Sequence, residues 1–288
     1  MSIYLKPEDD GLKMCEYGPW TAIKLDYLAR YIDIFETAMR KQWKHRNFID
    51  LFSGSGKNRI KKSNKILLGS PLLAITTTYP FTGYFFVDSS PEKTKSLEQR
   101  CSAYLFPENI NIFTGDCNKV VERVVDLLKP NQNHSLNLAF LDPQGFELEW
   151  STLAKLASIK RMDLIIYYPQ MGFTRYLNEA FLTKGPNAVD KFFGGDEWRI
   201  IYEEVKHKGK KGLDRRLIDL YKNKLNLLGY TEVFRGNEGI GEEPLIRNQS
   251  RNTPLYRLLF ASKNKLGHEF WQKIIRRDVY GQIQLFNS

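Results

Sequence analysis

The stretch Phe48-Ile49-Asp50-Leu51-Phe52-Ser53-Gly54-Ser55-Gly56 constrains this chain more than any other. An apolar run ends in an acid and passes into a small-residue loop with two glycines. A strand buried on both faces reads as such a continuous apolar run. Glycines in the loop let the backbone approach a ligand with no Cβ in the way. Three further acidic strand ends follow in order: Val87-Asp88, Gly115-Asp116 and Leu141-Asp142-Pro143. Acids at the carboxyl ends of successive parallel strands describe a cofactor cleft in an open α/β sheet.

The rest of the pattern agrees with such a sheet. Leu25, Leu28, Ile32, Phe35 and Met39 recur at helical spacing and predict a helix over 20–44. Strands are expected at 48–52, 83–88, 111–114, 138–141 and 162–168. Helices at 91–105, 118–128 and 150–159 separate them. Gly69-Ser70-Pro71 opens a helix over 72–78, with Ser70 as its cap. Residues 57–68 interrupt the direct passage from the first strand into that helix. Strands alternating with helices predict an α/β doubly wound, Rossmann-like sheet. The aromatic, basic stretch 171–210 reads as an inserted helical lobe. A helix over 213–228 and strands at 231–234 and 255–261 complete the sheet, with a long polar loop over 235–253. The whole is expected to be one domain over 1–288, with an N-terminal helical segment at 17–45.

Composition narrows the partners. The 288 residues carry 43 Lys+Arg against 33 Asp+Glu, a net charge of +10, and the pI is near 9.3. That excess favours a polyanionic partner, nucleic acid above all. Two basic runs offer contacts: Lys57, Arg59, Lys61, Lys62 and Lys65 beside the glycine loop, and Lys206, Lys208, Lys210, Lys211, Arg215 and Arg216 further on. Lys57, Arg59, Lys61, Lys62, Lys210 and Lys211 are the candidate nucleic-acid residues. Cys15, Cys101 and Cys117 share no metal-like spacing, so neither a zinc site nor a disulfide framework is expected. A reducing, cytoplasmic setting follows. The amino terminus has no apolar signal core, and no run approaches a membrane span.

Four strand-end acids can divide one cofactor among them. Asp50 can fix the glycine turn or a bound amino group. Asp88, with Ser89, can accept ribose hydroxyls. Asp116, with Cys117, can meet an adenine amine. Asp142-Pro143 faces the transferable group. A dinucleotide would need a third glycine and a helix directly after the turn to bind its pyrophosphate. Here Lys57-Asn58-Arg59 follows instead. An adenosyl cofactor without pyrophosphate fits better, which points to S-adenosylmethionine. The candidate cofactor residues are Asp50, Phe52, Gly54, Ser55, Gly56, Asp88, Ser89, Asp116, Cys117 and Asp142. Asp142 and Pro143 are the candidate catalytic pair.

The ordered set from Asp50 to Asp142-Pro143 resembles the class I S-adenosylmethionine-dependent methyltransferases. A closer resemblance runs over nearly the whole chain. Gly18-Pro19-Trp20-Thr21, the glycine loop, Gly69-Ser70-Pro71, Phe140-Leu141-Asp142-Pro143-Gln144-Gly145 followed by Trp150, and Tyr256-Arg257-Leu258-Leu259-Phe260-Ala261 look like the three-Cys-motif partner family (TcmP). The resemblance implies a methyltransferase-like sheet with an antiparallel last strand, S-adenosylmethionine as cofactor, and a separate three-Cys-motif protein as partner. Amino-methyltransferases of bases carry Asp/Asn-Pro-Pro and an aromatic that stacks on the flipped base. This chain has the acid and one proline, with Gly145 at the aromatic position and Phe146 one residue late. A carbon-5 cytosine enzyme needs a Cys nucleophile, usually after a proline, and no proline here precedes a Cys. The expected function is S-adenosylmethionine-dependent methyl transfer to nucleic acid. The alternative is a cofactor-binding subunit that docks the three-Cys-motif protein. Tyr167 and Tyr168 end the fifth strand, where they can pack in the core or stack on a base.

Overall fold

A computed structural model describes residues 2–276, apart from 208, 210, 211, 231, 234–242 and 249. The chain begins with β1 (Cys15–Tyr17), α1 (Thr21–Met39), β2 (His45–Asp50), β3 (Lys57–Ile60), β4 (Ile66–Leu68) and α2 (Ser70–Ile75). The central repeat follows as β5 (Gly83–Asp88), α3 (Pro91–Cys101), β6 (Ile110–Thr114), α4 (Cys117–Leu128), β7 (Ser135–Leu141), α5 (Trp150–Ala157) and β8 (Met162–Tyr168). Then come α6 (Gln170–Leu182), α7 (Ala188–Phe193), α8 (Glu197–Lys206) and α9 (Leu213–Leu227). The described residues end with β9 (Glu232–Val233), β10 (Leu245–Asn248), β11 (Thr253–Ser262) and α10 (Lys265–Ile275).

The main sheet runs in the order β10-β11-β8-β7-β2-β5-β6. Strands β8, β7, β2, β5 and β6 are parallel, while β11 runs antiparallel to β8. Both β10 and β9 pair with β11, near its two ends. The order reverses at β2 and β7, so a crevice opens there beyond the carboxyl ends. Successive side chains on a strand point to opposite faces, and here both faces are covered. Phe48, Phe86, Phe140 and Ile165 pack with α1 and α10 on one side. Their neighbours Ile49, Val87, Leu141 and Ile166 pack with α4, α5 and the helices after β8 on the other.

The inserted helices are joined to the sheet by aromatic rings. Phe192 stacks on Tyr221 at 4.8 Å, and Phe146 meets Phe192 at 5.5 Å and Phe173 at 4.9 Å. Phe146 is thereby committed to the insertion. Tyr168 lies in the same cluster, 5.0 Å from Phe173. Lys210 and Lys211 lie outside the described residues.

Several local expectations need correction. Residues 57–68 form a hairpin of β3 and β4, and β1 adds to β3 in parallel, Cys15 opposite Asn58. Lys62 and Asn64 take left-handed backbone at its tip (φ 73° and 53°). Gly69 caps α2, and Ser70 is its first residue. Within the expected loop 235–253, Leu245–Asn248 is a strand, and 234–242 lie outside the described residues. Helix α10 has no counterpart among the expected elements; Asn264 caps it by accepting from the Leu266 N–H.

Lys57 also departs from expectation. Its side chain is fully buried, paired with Asp10 at 2.8 Å and donating to the carbonyls of Ile3 and Glu8 at 2.9 and 2.8 Å. It has no donor left for a phosphate. Arg100 meets the same Asp10 carboxylate through Nε and Nη2 at 2.9 and 2.8 Å. Its Nη1 donates to the Lys13 carbonyl at 2.8 Å and the Ser55 carbonyl at 2.5 Å. Burial pushes the Asp10 carboxyl up, but the Arg100 and Lys57 hydrogen bonds win and hold it well below the usual carboxylate range. Removing one partner of a buried pair leaves an uncompensated charge, at about 3–5 kcal/mol. Arg100→Ala leaves Asp10 with Lys57 alone and is expected to cut the unfolding free energy by up to about 3–5 kcal/mol, read as a lower urea midpoint at unchanged slope. A loss under about 1 kcal/mol, the scale of a surface pair, would show that the network contributes little.

Candidate functional site

The glycine loop bends where its sequence permits. Gly54 and Gly56 have φ of 60° and 85°. A Cβ on Gly56 would stand 2.8 Å from the Leu97 side chain, and one on Gly54 3.3 Å from the Cys15 sulfur. Backbone conformation and close packing therefore both demand glycine there. Ser53 ties the loop to the neighbouring strand, its N–H donating to the Val87 carbonyl at 2.9 Å.

Three of the strand-end acids gather round this loop. Asp88 Oδ2 accepts the Gly54 N–H at 3.0 Å and Oδ1 accepts the Ser90 N–H at 2.9 Å. A carboxylate offers about four acceptor positions, so Asp88 can still receive hydroxyls. Asp50 is wholly buried; one oxygen accepts the Phe52 N–H at 3.0 Å, and the Ser70 side chain stands beside the carboxyl. Burial pushes its carboxyl up to about 7, with the charges of Asp142 and Asp88 adding to the effect. Asp142, just past β7, forms an ion pair with Lys24 of α1. Burial pushes Asp142 up, and Lys24 opposes it.

The other candidates divide by exposure. Asp116 caps α4, with Oδ1 accepting from the Asn118 N–H and side-chain amide, both at 3.0 Å. It stays exposed, as does Ser89. Cys117 turns its thiol into the core, where burial pushes it up to about 12. Only its backbone could serve a ligand. Ser55 is likewise buried, its hydroxyl donating to the Lys57 carbonyl at 3.2 Å. Phe52 packs against the core and Pro143 is buried. Arg59 pairs with Asp9 at 2.7 Å, while Lys61 and Lys62 stand exposed at the hairpin.

Sequence reasoning missed Lys24 and the rings of Tyr17 and Tyr256 beside Asp142, though it does offer Tyr167 as a ring that can stack on a base. Lys24 is nearly buried, with its ammonium 5.3 Å from the Tyr17 ring centre and 5.9 Å from that of Tyr256. Tyr167 lies 4.5 Å from Tyr256, on the face opposite Tyr168. The available signal was Lys24 itself. It falls on the α1 stripe of Leu28, Ile32 and Phe35, where a lone cation requires a buried partner. Among the described residues, no cluster of His, Cys, Asp or Glu could hold a metal ion. No described helix is long and apolar enough to cross a membrane.

Sheet order, antiparallel β11 and strand-end acids are those of a Rossmann-like methyltransferase fold. No protein-family model matches the sequence, and no curated protein matches it. Solved structures resemble it weakly. A Legionella pneumophila protein of the DUF519 family is 14% identical with a TM-score of 0.41, over 57% of this chain and 74% of that one. A Bordetella parapertussis protein described as a possible exported protein is 10% identical with a TM-score of 0.40, over 85% and 70%. The StiE O-methyltransferase region is 12% identical with a TM-score of 0.31, over 83% and 75%. Scores this low say nothing about activity.

Asp50 makes the site pH-sensitive. A carboxyl raised from 3.8 to about 7 on folding contributes stability that is whole below the ordinary value. That contribution is lost as the pH climbs through the folded value. Glu36, raised to about 7, and Asp163, raised to about 6, titrate in the same window. Comparison with Asp50→Asn isolates the site. The parent's stability relative to that variant is expected to fall by up to about 4 kcal/mol between about pH 4 and pH 8. Parallel stability curves across that window would mean that Asp50 titrates as an ordinary carboxylate.

Proposed function

We propose that the chain is an S-adenosylmethionine-dependent methyltransferase that acts on nucleic acid. One observation carries the cofactor assignment. Asp50, Asp88 and Asp142 converge on a glycine loop at the crevice where the sheet order reverses. The residues fit the cofactor. Asp50 and Asp88 are buried carboxylates beside the loop, and the positive φ of Gly54 and Gly56 gives its backbone the sharp turn that brings it against them. Asp88 would take the ribose hydroxyls, Asp116 the adenine amine, and Asp50 a cationic group of the methionine portion. When bound, the cofactor supplies an electrophilic methyl on a cationic sulfur. The chain's own part is alignment and proton handling, with Asp142 orienting the acceptor or taking its proton. The net charge of +10 and the exposed Lys61 and Lys62 support nucleic acid as the acceptor.

The Lys24–Asp142 pair favours a second reading. A chain whose own lysine fills the acceptor end waits for something to displace it. A three-Cys-motif partner, the association that the resemblance implies, is a candidate for that role. In this reading the isolated chain binds cofactor without turnover.

Calorimetry is expected to show S-adenosylmethionine binding in the micromolar range, roughly −8 kcal/mol. Asp88→Ala should weaken it about tenfold or more through the lost charged acceptor. Binding of NAD in its place would overturn the cofactor assignment. Affinity for nucleic acid is expected to fall with salt. Exchange of Lys61 and Lys62 for Ser should flatten that slope by about one unit for each phosphate no longer neutralised. An unchanged slope would shift the acceptor to another class.

A further inference from the structure

The surroundings of Lys24 do more than neutralise Asp142. Two tyrosines and one carboxylate flank a single primary ammonium, with a third tyrosine packed behind one of the rings. Tyr17 and Tyr256 face it at 5.3 and 5.9 Å, and Tyr167 backs Tyr256 at 4.5 Å. Gln144, two residues past Asp142, stands beside the Tyr17 hydroxyl. Aromatic faces with a carboxylate recognise alkylammonium groups, methylated ones included, because methyl groups spread the charge over the rings. The cage stands at the acceptor end of the cleft. Asp142 follows β7, and β7 pairs directly with β2, which leads into the glycine loop. The field of Asp142 reaches Asp50 at the head of that loop.

We propose that Lys24 is a methylation site of this chain's own reaction, its Nζ occupying the acceptor position in the aromatic cage beside Asp142. The inference rests on the S-adenosylmethionine reading above. The ammonium gives one proton to the Asp142 carboxylate. The freed lone pair forms a bond to the methyl carbon of the sulfonium donor, whose carbon–sulfur bond breaks with the electron pair staying on sulfur. The products are methylated Lys24, still cationic, the neutral thioether S-adenosylhomocysteine, and a proton that leaves Asp142 for solvent. Burial pushes the Asp142 carboxyl up, which makes it a better proton acceptor than a solvated carboxylate. The product keeps its positive charge and so keeps both the rings and the carboxylate as partners.

Two measurements on the full chain test this. Without cofactor, acetic anhydride should label Lys24 roughly tenfold or more slowly than the exposed Lys61 and Lys62, because the cage must open first. Labelling at the same rate would mean that no closed cage exists, and would overturn the inference. With S-adenosylmethionine, peptide mass analysis should find one to three methyl groups on Lys24, and none at that position in Lys24→Arg. Asp142→Asn should slow the gain by roughly a hundredfold or more, with calorimetry checking that it still binds cofactor. Cofactor binding with an unmodified Lys24, or with methyl groups only elsewhere, overturns the inference and leaves the methyltransferase reading standing. No cofactor binding at all overturns both.

Discussion

The Asp10 side chain is buried, and its carboxylate meets two cations, Lys57 and Arg100, within hydrogen-bonding distance. Each cation comes from a different part of the site. Lys57 opens the hairpin immediately after the glycine loop, and Arg100 lies in the last turn of α3. Arg100 also holds the Ser55 carbonyl inside the loop. One buried carboxylate therefore fixes the N-terminal segment, the loop and the helix behind it as one unit. The loop cannot relax without exposing an unpaired charge, which is costly in a low-dielectric interior. The geometry of the cleft depends on that rigidity.

Asp50, Asp88 and Asp142 lie near enough for the charges of the other two to act on Asp50. Each acid is relieved in a different way. Asp50 is pushed towards the protonated form. Asp88 receives two backbone N–H groups, and Asp142 receives an ammonium. These are the three general means of holding a carboxylate in an interior: neutralise it, hydrogen-bond it or pair it.

The parallel strands and the loop between them were legible because they obey local rules. Strands β5 and β8 fall at the expected residues, since continuous apolar runs with acidic or Pro stops are unambiguous. What escaped was non-local. The sequence Lys57-Asn58-Arg59-Ile60 has no apolar alternation, and it becomes a strand because Cys15–Tyr17 and Ile66–Leu68 flank it. Lys57 looks like a surface cation until Asp10, far away in sequence, is seen beside it. The same holds for Lys24 and Asp142, which lie far apart in the chain and meet only in the fold. Helix α10 was missed although Leu266, Phe270 and Ile274 mark its stripe. A short amphipathic helix after a final strand carries no motif to attract notice.

The small sheet built by β1, β3 and β4 shares no strand with the main sheet. The register of the large sheet is thus set without the amino-terminal residues. Pairing Cys15 with Asn58 closes a long loop whose entropic cost is repaid only once the hairpin exists. Strand β1 therefore has no partner until the hairpin that follows β2 has formed. Strand β1, whose Cys15 sulfur stands beside Gly54, is thus tied to the glycine loop through a sheet that forms apart from the main one.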